Sequence, residues 1–130
     1  MAVTRVLAVI PFLLLAACSG PAATVDRITI ANGTEYDLDV EVTGGDRGGW
    51  LPVAIVEARS EHAVREVIDQ GEEWTFRFLH LGDPVGELSL SREDLEGSGW
   101  RVEVPEEVEQ RLQELGRPPS GGLGDSGDGG

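Results

Sequence analysis

The residues best suited to nucleophilic or acid–base chemistry are one serine and two histidines. Ser98 lies between Gly97 and Gly99, whereas the serine elbow of hydrolases needs glycines two residues before and two residues after its serine. The histidines, His62 and His80, have no acidic residue whose spacing would orient the imidazole. The sequence therefore predicts a turn around Ser98, no catalytic residue and a protein that is not an enzyme. A hydrolase is the most distant alternative.

Metal and cofactor chemistry has equally little support. Asp37, Asp39 and Glu41 alternate as the acids of a calcium loop do, but the residues between them are apolar and the central glycine is missing. This pattern favours the solvated face of a strand. The chain has one cysteine, too few for a structural zinc site. The glycine-rich segment 44–49 lacks the Gly-Lys-Ser/Thr ending of a phosphate-binding loop. We expect no metal and no cofactor.

The N-terminal segment carries the most specific motif. An apolar run follows Arg5 and ends in Leu15-Ala16-Ala17-Cys18, which contains the only cysteine of the chain. The run is shorter than the roughly 20 apolar residues that a membrane-spanning helix needs, so it is typical of a signal peptide. An aliphatic residue, two small residues and a cysteine in this position resemble the lipobox of bacterial lipoprotein precursors. Beyond this motif, the sequence matches no family that we can identify.

The resemblance implies a processing pathway and a location. Residues 1–17 would be removed as a signal peptide, and Cys18 would carry a diacylglyceryl group and a further acyl chain, such as palmitate. Two or more acyl chains give stable anchoring. Residues 18–23 would form the lipidated linker to the folded domain. The protein is then expected in the cell envelope, on the outer face of the cytoplasmic membrane or in an outer membrane. The alternative is an ordinary secretory signal, cut near Ala17 or Ala23.

The charge of the chain limits its partners. The formal net charge is −14, with 24 acidic and 10 basic residues. Such a surface repels nucleic acid and anionic lipid headgroups. We therefore expect no nucleic-acid partner and a membrane association that depends on the lipid at Cys18.

Alternating polar and apolar residues predict most of the folded part as strands. Segment 62–68 fits a strand or a short helix, and Asn32-Gly33 predicts a tight turn that joins the first two strands as a hairpin. Pro52 favours an edge strand. The strands are expected at residues 27–30, 36–42, 50–56, 74–78, 87–90 and 100–104.

Two helical segments are also expected. Ser91 begins a capping pattern for one helical turn. Pro105 opens a longer C-terminal helix, whose apolar residues should dock on the sheet. Those apolar residues are Val108, Leu112 and Leu115.

The pattern as a whole predicts one mainly β domain over residues 24–116. Its expected architecture is a small antiparallel β-sandwich, immunoglobulin-like by first choice, with the C-terminal helix packed on one side. An open barrel is the alternative. Residues 117–130 are rich in glycine, serine, proline and aspartate and predict a disordered tail.

Three tryptophans remain as candidates for packing or contact. Trp74 and Trp100 lie in alternating segments and are expected in the core. Trp50 borders the glycine-rich loop, and burial in the core is the favoured expectation for it as well. It is also the best candidate for an exposed contact residue, since aromatic residues at loop edges are typical interface anchors.

These observations lead to one functional hypothesis and one alternative. The first is a lipid-anchored extracytoplasmic protein whose β domain is a non-catalytic interaction or envelope-accessory module, with an envelope protein as partner. The alternative is a lipoprotein that binds a small ligand between the loops around Trp50 and Asp83.

Overall fold

The computed structural model describes residues 23–120, which form seven strands and two helices. One sheet has three strands in the order β4-β1-β7, which are β1 (Thr24–Asn32), β4 (Ser60–Ile68) and β7 (Arg101–Glu103). The other has four strands in the order β3-β2-β5-β6, which are β2 (Leu38–Thr43), β3 (Leu51–Val56), β5 (Glu73–His80) and β6 (Asp83–Ser91). The helices are α1 (Arg92–Gly97) and α2 (Glu106–Glu114). The mainly β sandwich with a C-terminal helix is thereby confirmed. The leader, the lipobox, most of the linker and residues 121–130 lie outside the described residues.

The core lies between the inner faces of the two sheets. Trp74, Phe76 and Phe78 alternate along β5, share its inner face and are completely buried, so the expectation that Trp74 belongs to the core is confirmed. Val40 of β2 and Ile28 of β1 are buried with them. Burying a large apolar side chain contributes roughly 1.5–3 kcal/mol, so these residues dominate the stability of the domain.

The first two strands do not form the predicted hairpin. β1 pairs with β4 and, in parallel, with β7, whereas β2 pairs with β3 and β5 in the other sheet. Neither Asn32 nor Gly33 has the positive φ that a type I′ turn requires. The Asn32 side chain is buried instead, where the chain crosses between sheets. Reading Asn32 as a turn residue was therefore wrong. This placement also differs from an immunoglobulin constant domain, in which the first two strands share a sheet.

The two sides of the sandwich are covered differently. Both helices contact β6, and α2 lies so close to it that a Cβ at Gly86 would be 2.7 Å from Cγ2 of Val108. On the other side, β3 and β4 are the outermost strands of their sheets. This edge position accommodates Pro52, which lacks the amide proton that a central strand would need. Segment 62–68, for which the sequence fitted either a strand or a short helix, is part of β4.

The helices differ in detail from the predictions. The capping pattern at Ser91 is confirmed, since its Oγ accepts from the Asp94 amide at 3.0 Å. Pro105 is the N-cap of α2 and not its first helical residue. Leu115 was predicted to dock on the sheet, but this was wrong, since it is 45% exposed at the C-cap of α2.

The chain remains attached to the domain beyond residue 116. The Arg117 carbonyl accepts from the Tyr36 hydroxyl at 3.0 Å, and the Ser120 amide donates to the Glu35 carbonyl at 2.8 Å. Residues 117–120, assigned from composition to a disordered tail, therefore contact the sandwich.

Neither described helix is long and apolar enough to cross a membrane.

Candidate interaction surface

Trp50 lies on the outer face of the four-stranded sheet and not in the core. Its ring is half-buried against the Arg77 guanidinium, whose carbon is 4.1 Å from the ring centroid. The Arg47 guanidinium carbon is 5.6 Å from the same centroid. A cation over an indole face is worth about 0.5–1 kcal/mol at exposed positions. The two arginines therefore hold the Trp50 ring in place and leave part of it in contact with solvent.

The arginines are themselves fixed by carboxylates of the same face. Arg77 donates from Nε to Glu41 Oε1 at 3.0 Å and pairs with the same carboxylate through Nη2. Arg47 pairs with Glu87 at 3.0 Å. Each arginine thus has two partners, a carboxylate and the indole, and the arrangement restricts the rotamers of all five side chains. Restricting them beforehand reduces the entropy that an interface would lose on binding.

Strand register explains how distant residues meet here. Pro52 of β3 is opposite Glu41 of β2, Glu41 is opposite Arg77 of β5, and Arg77 is opposite Glu87 of β6. These residues form one cross-strand row, and Trp50 covers Arg77 within it. The alternation along segment 36–42 correctly indicated that Glu41 faces outward. The partner of Glu41 could not be read from the sequence, because it depends on pairing across 36 residues.

An exposed apolar residue extends the row along the edge strand. Ile55 is 69% exposed and lies opposite Asp39 of β2. A depression of about 360 Å³ lies on this part of the face, and its lining includes Asp39 and Ile55 together with Glu41 and Pro52 of the cross-strand row. We call Trp50, Arg77, Glu41, Pro52 and Ile55 the Trp50 surface. Sequence reasoning named Trp50 but missed Arg77 and Ile55. Every residue of β3 is apolar, so its sequence has no polar alternation that could have indicated which side Ile55 faces.

The two histidines lie in different surroundings. His62 is exposed on β4. His80 is buried at the end of β5, where its Nδ1 accepts from Arg117 Nη1 at 2.8 Å and its ring meets Tyr36 edge-on at 5.5 Å. Burial and the Arg117 charge lower the pKa of His80, so the imidazole is neutral and acts as a structural acceptor.

The remaining candidates have structural partners. Ser98 Oγ lies 3.0 and 3.1 Å from the carbonyl oxygens of Leu95 and Arg101, and its single proton can be donated to either of them, in agreement with a turn at the end of α1. Trp100 is half-buried just before β7, at φ +60°, and packs edge-on against the buried Trp74 at 5.5 Å. Trp100 therefore borders the core, whereas Trp74 lies within it. Within residues 23–120, no group of three or more His, Cys, Asp or Glu side chains is arranged to hold a metal ion.

Comparison of the chain with protein-family models, with curated proteins and with solved structures finds no match in any of the three.

Proposed function

We propose that the chain is a lipid-anchored extracytoplasmic protein whose β-sandwich binds an envelope protein through the Trp50 surface. The observation behind the proposal is the half-buried Trp50 ring, which packs against Arg77 and Arg47 beside the exposed Ile55 of the edge strand. Tryptophan and arginine are the residues most enriched among those that dominate interface energetics. Here both types lie together on the outer face of one sheet.

The anchoring part of the proposal is supported by the sequence and by where the domain begins. The lipobox resemblance assigns the acyl chains to Cys18, and β1 begins at Thr24. The intervening linker of about six residues spans on the order of 13 Å if it is flexible. A domain on so short a linker stays close to the bilayer, where envelope proteins are concentrated.

The composition of the Trp50 surface agrees with protein binding more closely than with a plain solvated face. The charges of Arg77 and Glu41 are paired with each other, so a partner covering them need not supply a counter-charge. Pro52 and Ile55 add apolar area beside this pair. Apolar and aromatic residues around neutralised charges are typical of the central part of protein interfaces.

In-cell photo-crosslinking tests the proposal. A photoreactive amino acid is placed at position 50 or at position 39 in the anchored chain, and captured proteins are identified by mass spectrometry. Position 63 is the matched control, because Ala63 is exposed on the outer face of the other sheet. We expect one envelope protein to be captured from positions 50 and 39 and not from position 63. Equal capture from all three positions, or capture of no protein, would contradict the proposal.

The ligand-binding alternative requires Trp50 and Asp83 to line a common pocket. Asp83 accepts from Arg117 at 2.8 Å near the β5–β6 turn, whereas Trp50 packs on Arg77. The depression described above is lined by neither Trp50 nor Asp83. These separate surroundings favour the protein-binding function. Capture of no protein, together with a small molecule that co-purifies with the chain, would favour the ligand-binding alternative.

A further inference from the structure

Two arginines differ from the other arginines of the described domain because they have no carboxylate partner. Seven arginines of residues 23–120 have an Asp or Glu oxygen within 4.0 Å, namely Arg47, Arg59, Arg77, Arg92, Arg101, Arg111 and Arg117. Arg27 and Arg65 form no such pair among these residues, although the chain carries a net charge of −14. Their exposed neighbours Asp26 and Glu66 do not reach them at ion-pair distance.

The two unpaired arginines are also direct cross-strand neighbours. Arg27 of β1 lies opposite Arg65 of β4 in the antiparallel register, and both side chains are exposed. Like charges directly opposite each other on a sheet destabilise it. An anion between the two guanidinium groups would remove that repulsion, and phosphate oxygens match the planar donor geometry of guanidinium.

The position of this pair points to the anion. Arg27 is three residues beyond Thr24, where the chain leaves the linker, and Thr24 lies opposite Ile68. Ile68 is 43% exposed at the same end of β4. Arg27, Arg65 and Ile68, which we call the basic corner, therefore combine two unpaired cations with an exposed apolar side chain at the end of the domain nearest the lipidated residue. Basic and apolar side chains together are typical of surfaces that lie at a lipid interface.

We propose that the basic corner binds the phosphate groups of anionic lipids and orients the anchored domain on the bilayer. This inference rests on the lipid anchor of the proposed function. Net charge alone would predict repulsion from such lipids, but the charge of a domain held at the surface acts locally, within about 8–10 Å at physiological salt. The outer face of the three-stranded sheet then faces the membrane. The Trp50 surface lies on the opposite face and is presented to partners in the envelope.

Chemical modification of individual arginines tests the orientation. The chain beginning at Cys18 is coupled through its thiol to an uncharged maleimide lipid and inserted into phosphatidylcholine vesicles with or without phosphatidylglycerol. Phenylglyoxal then modifies exposed arginines, and peptide mass spectrometry gives the rate at each one. Arg59 and Arg111 are internal controls, because their side chains are 67% and 58% exposed and belong to other parts of the domain.

We expect Arg27 and Arg65 to react on the order of five-fold more slowly when phosphatidylglycerol is present, which corresponds to the contribution of one basic residue near an anionic surface. The control arginines should react at the same rate in both vesicles, and high salt should remove the protection. Equal rates at Arg27 and Arg65 in both vesicles would overturn the proposal, and so would equal protection of the controls.

Chemical coupling also separates this proposal from the lipoprotein prediction. The domain is anchored in these vesicles whether or not cells lipidate Cys18, so loss of protection would refute the orientation alone. Failure of natural lipidation is detected separately, by the distribution of the protein between membrane and soluble fractions in cells.

Discussion

Replacement of Asn32 by alanine tests the clearest difference between the sequence prediction and the fold. The Asn32 side chain is 2% exposed and donates to the carbonyls of Tyr36 and Val56 at 2.7 and 3.0 Å. Its Oδ1 accepts from the Thr34 amide at 3.0 Å and from the Thr34 hydroxyl at 2.7 Å. One side chain therefore ties the end of β1 to the beginning of β2 and the end of β3.

The expected cost follows from these bonds. Alanine leaves the buried Thr34 amide without its acceptor, and an unsatisfied buried donor costs about 1–3 kcal/mol. The carbonyls of Tyr36 and Val56 each lose one donor, at a net cost of about 1 kcal/mol for each bond. These contributions sum to about 3–5 kcal/mol, and we expect Asn32→Ala to lower the free energy of unfolding by about 3 kcal/mol, because the Thr34 hydroxyl can still donate to the Tyr36 carbonyl. A domain of this size has a typical stability of 5–15 kcal/mol, so the variant should still fold.

Urea denaturation followed by tryptophan fluorescence measures this loss. Gly33→Ala is the matched control, because a Cβ at Gly33 meets nothing within 4 Å and its φ is not positive. We expect the control to change the free energy of unfolding by less than about 0.5 kcal/mol, as surface substitutions usually do. A loss below about 1 kcal/mol in Asn32→Ala, or an equal loss in both variants, would refute the argument.

Three further predictions concern other parts of the chain. Because folding lowers the pKa of His80, the unfolded chain takes up the proton first as the pH falls below about 6.5. Thermal melting should therefore show stability declining from about pH 7 to pH 5, and less so in His80→Gln. Gly86→Ala should lower the free energy of unfolding by about 1–3 kcal/mol in urea denaturation, because its Cβ presses on Val108. The double variant Gly86→Ala/Val108→Ala should lose less than the sum of the two single losses, because Val108→Ala removes the clash. Losses that add fully would contradict this contact. Cys18→Ala should move the protein from the membrane to the soluble fraction, and retention in the membrane would refute the anchor.

The parts of the fold that depend on local pattern were predictable. Alternation along β5 and β2 identified their inner faces, because side chains of a strand point to opposite sides with a period of two. The capping box at Ser91 was also predictable from local sequence, because its two side chains are only three positions apart.

The parts that depend on distant partners were not predictable. The parallel pairing of β1 with β7 joins Ile30 to Val102, and no local pattern encodes it. Asn32 has the residue type of a turn, but its function depends on carbonyls that other strands bring to it. The contacts of residues 117–120 were missed because composition alone suggested disorder there.

The candidate surface was predictable only in its central residue. Trp50 was chosen for its position beside a glycine-rich loop, and that choice was independent of pairing. Arg77 and Glu41 meet on the outer face only through the register of β2 and β5. The lack of carboxylate partners at Arg27 and Arg65 is likewise a property of the folded register, and the total charge of the chain conceals it.

The measurement that tests the central claim most directly compares crosslinking from position 39 in the parent chain and in Trp50→Ala. Asp39 is on the same sheet face, and Trp50 is outside the core, so this substitution should cost the domain little more than the two cation contacts, about 0.5–1 kcal/mol each, and leave it folded. If Trp50 is the main contact residue, its loss should weaken binding by about 2 kcal/mol or more, which is roughly 30-fold in affinity. We predict that capture of the envelope protein from position 39 falls accordingly. Undiminished capture in a folded Trp50→Ala chain would contradict the account.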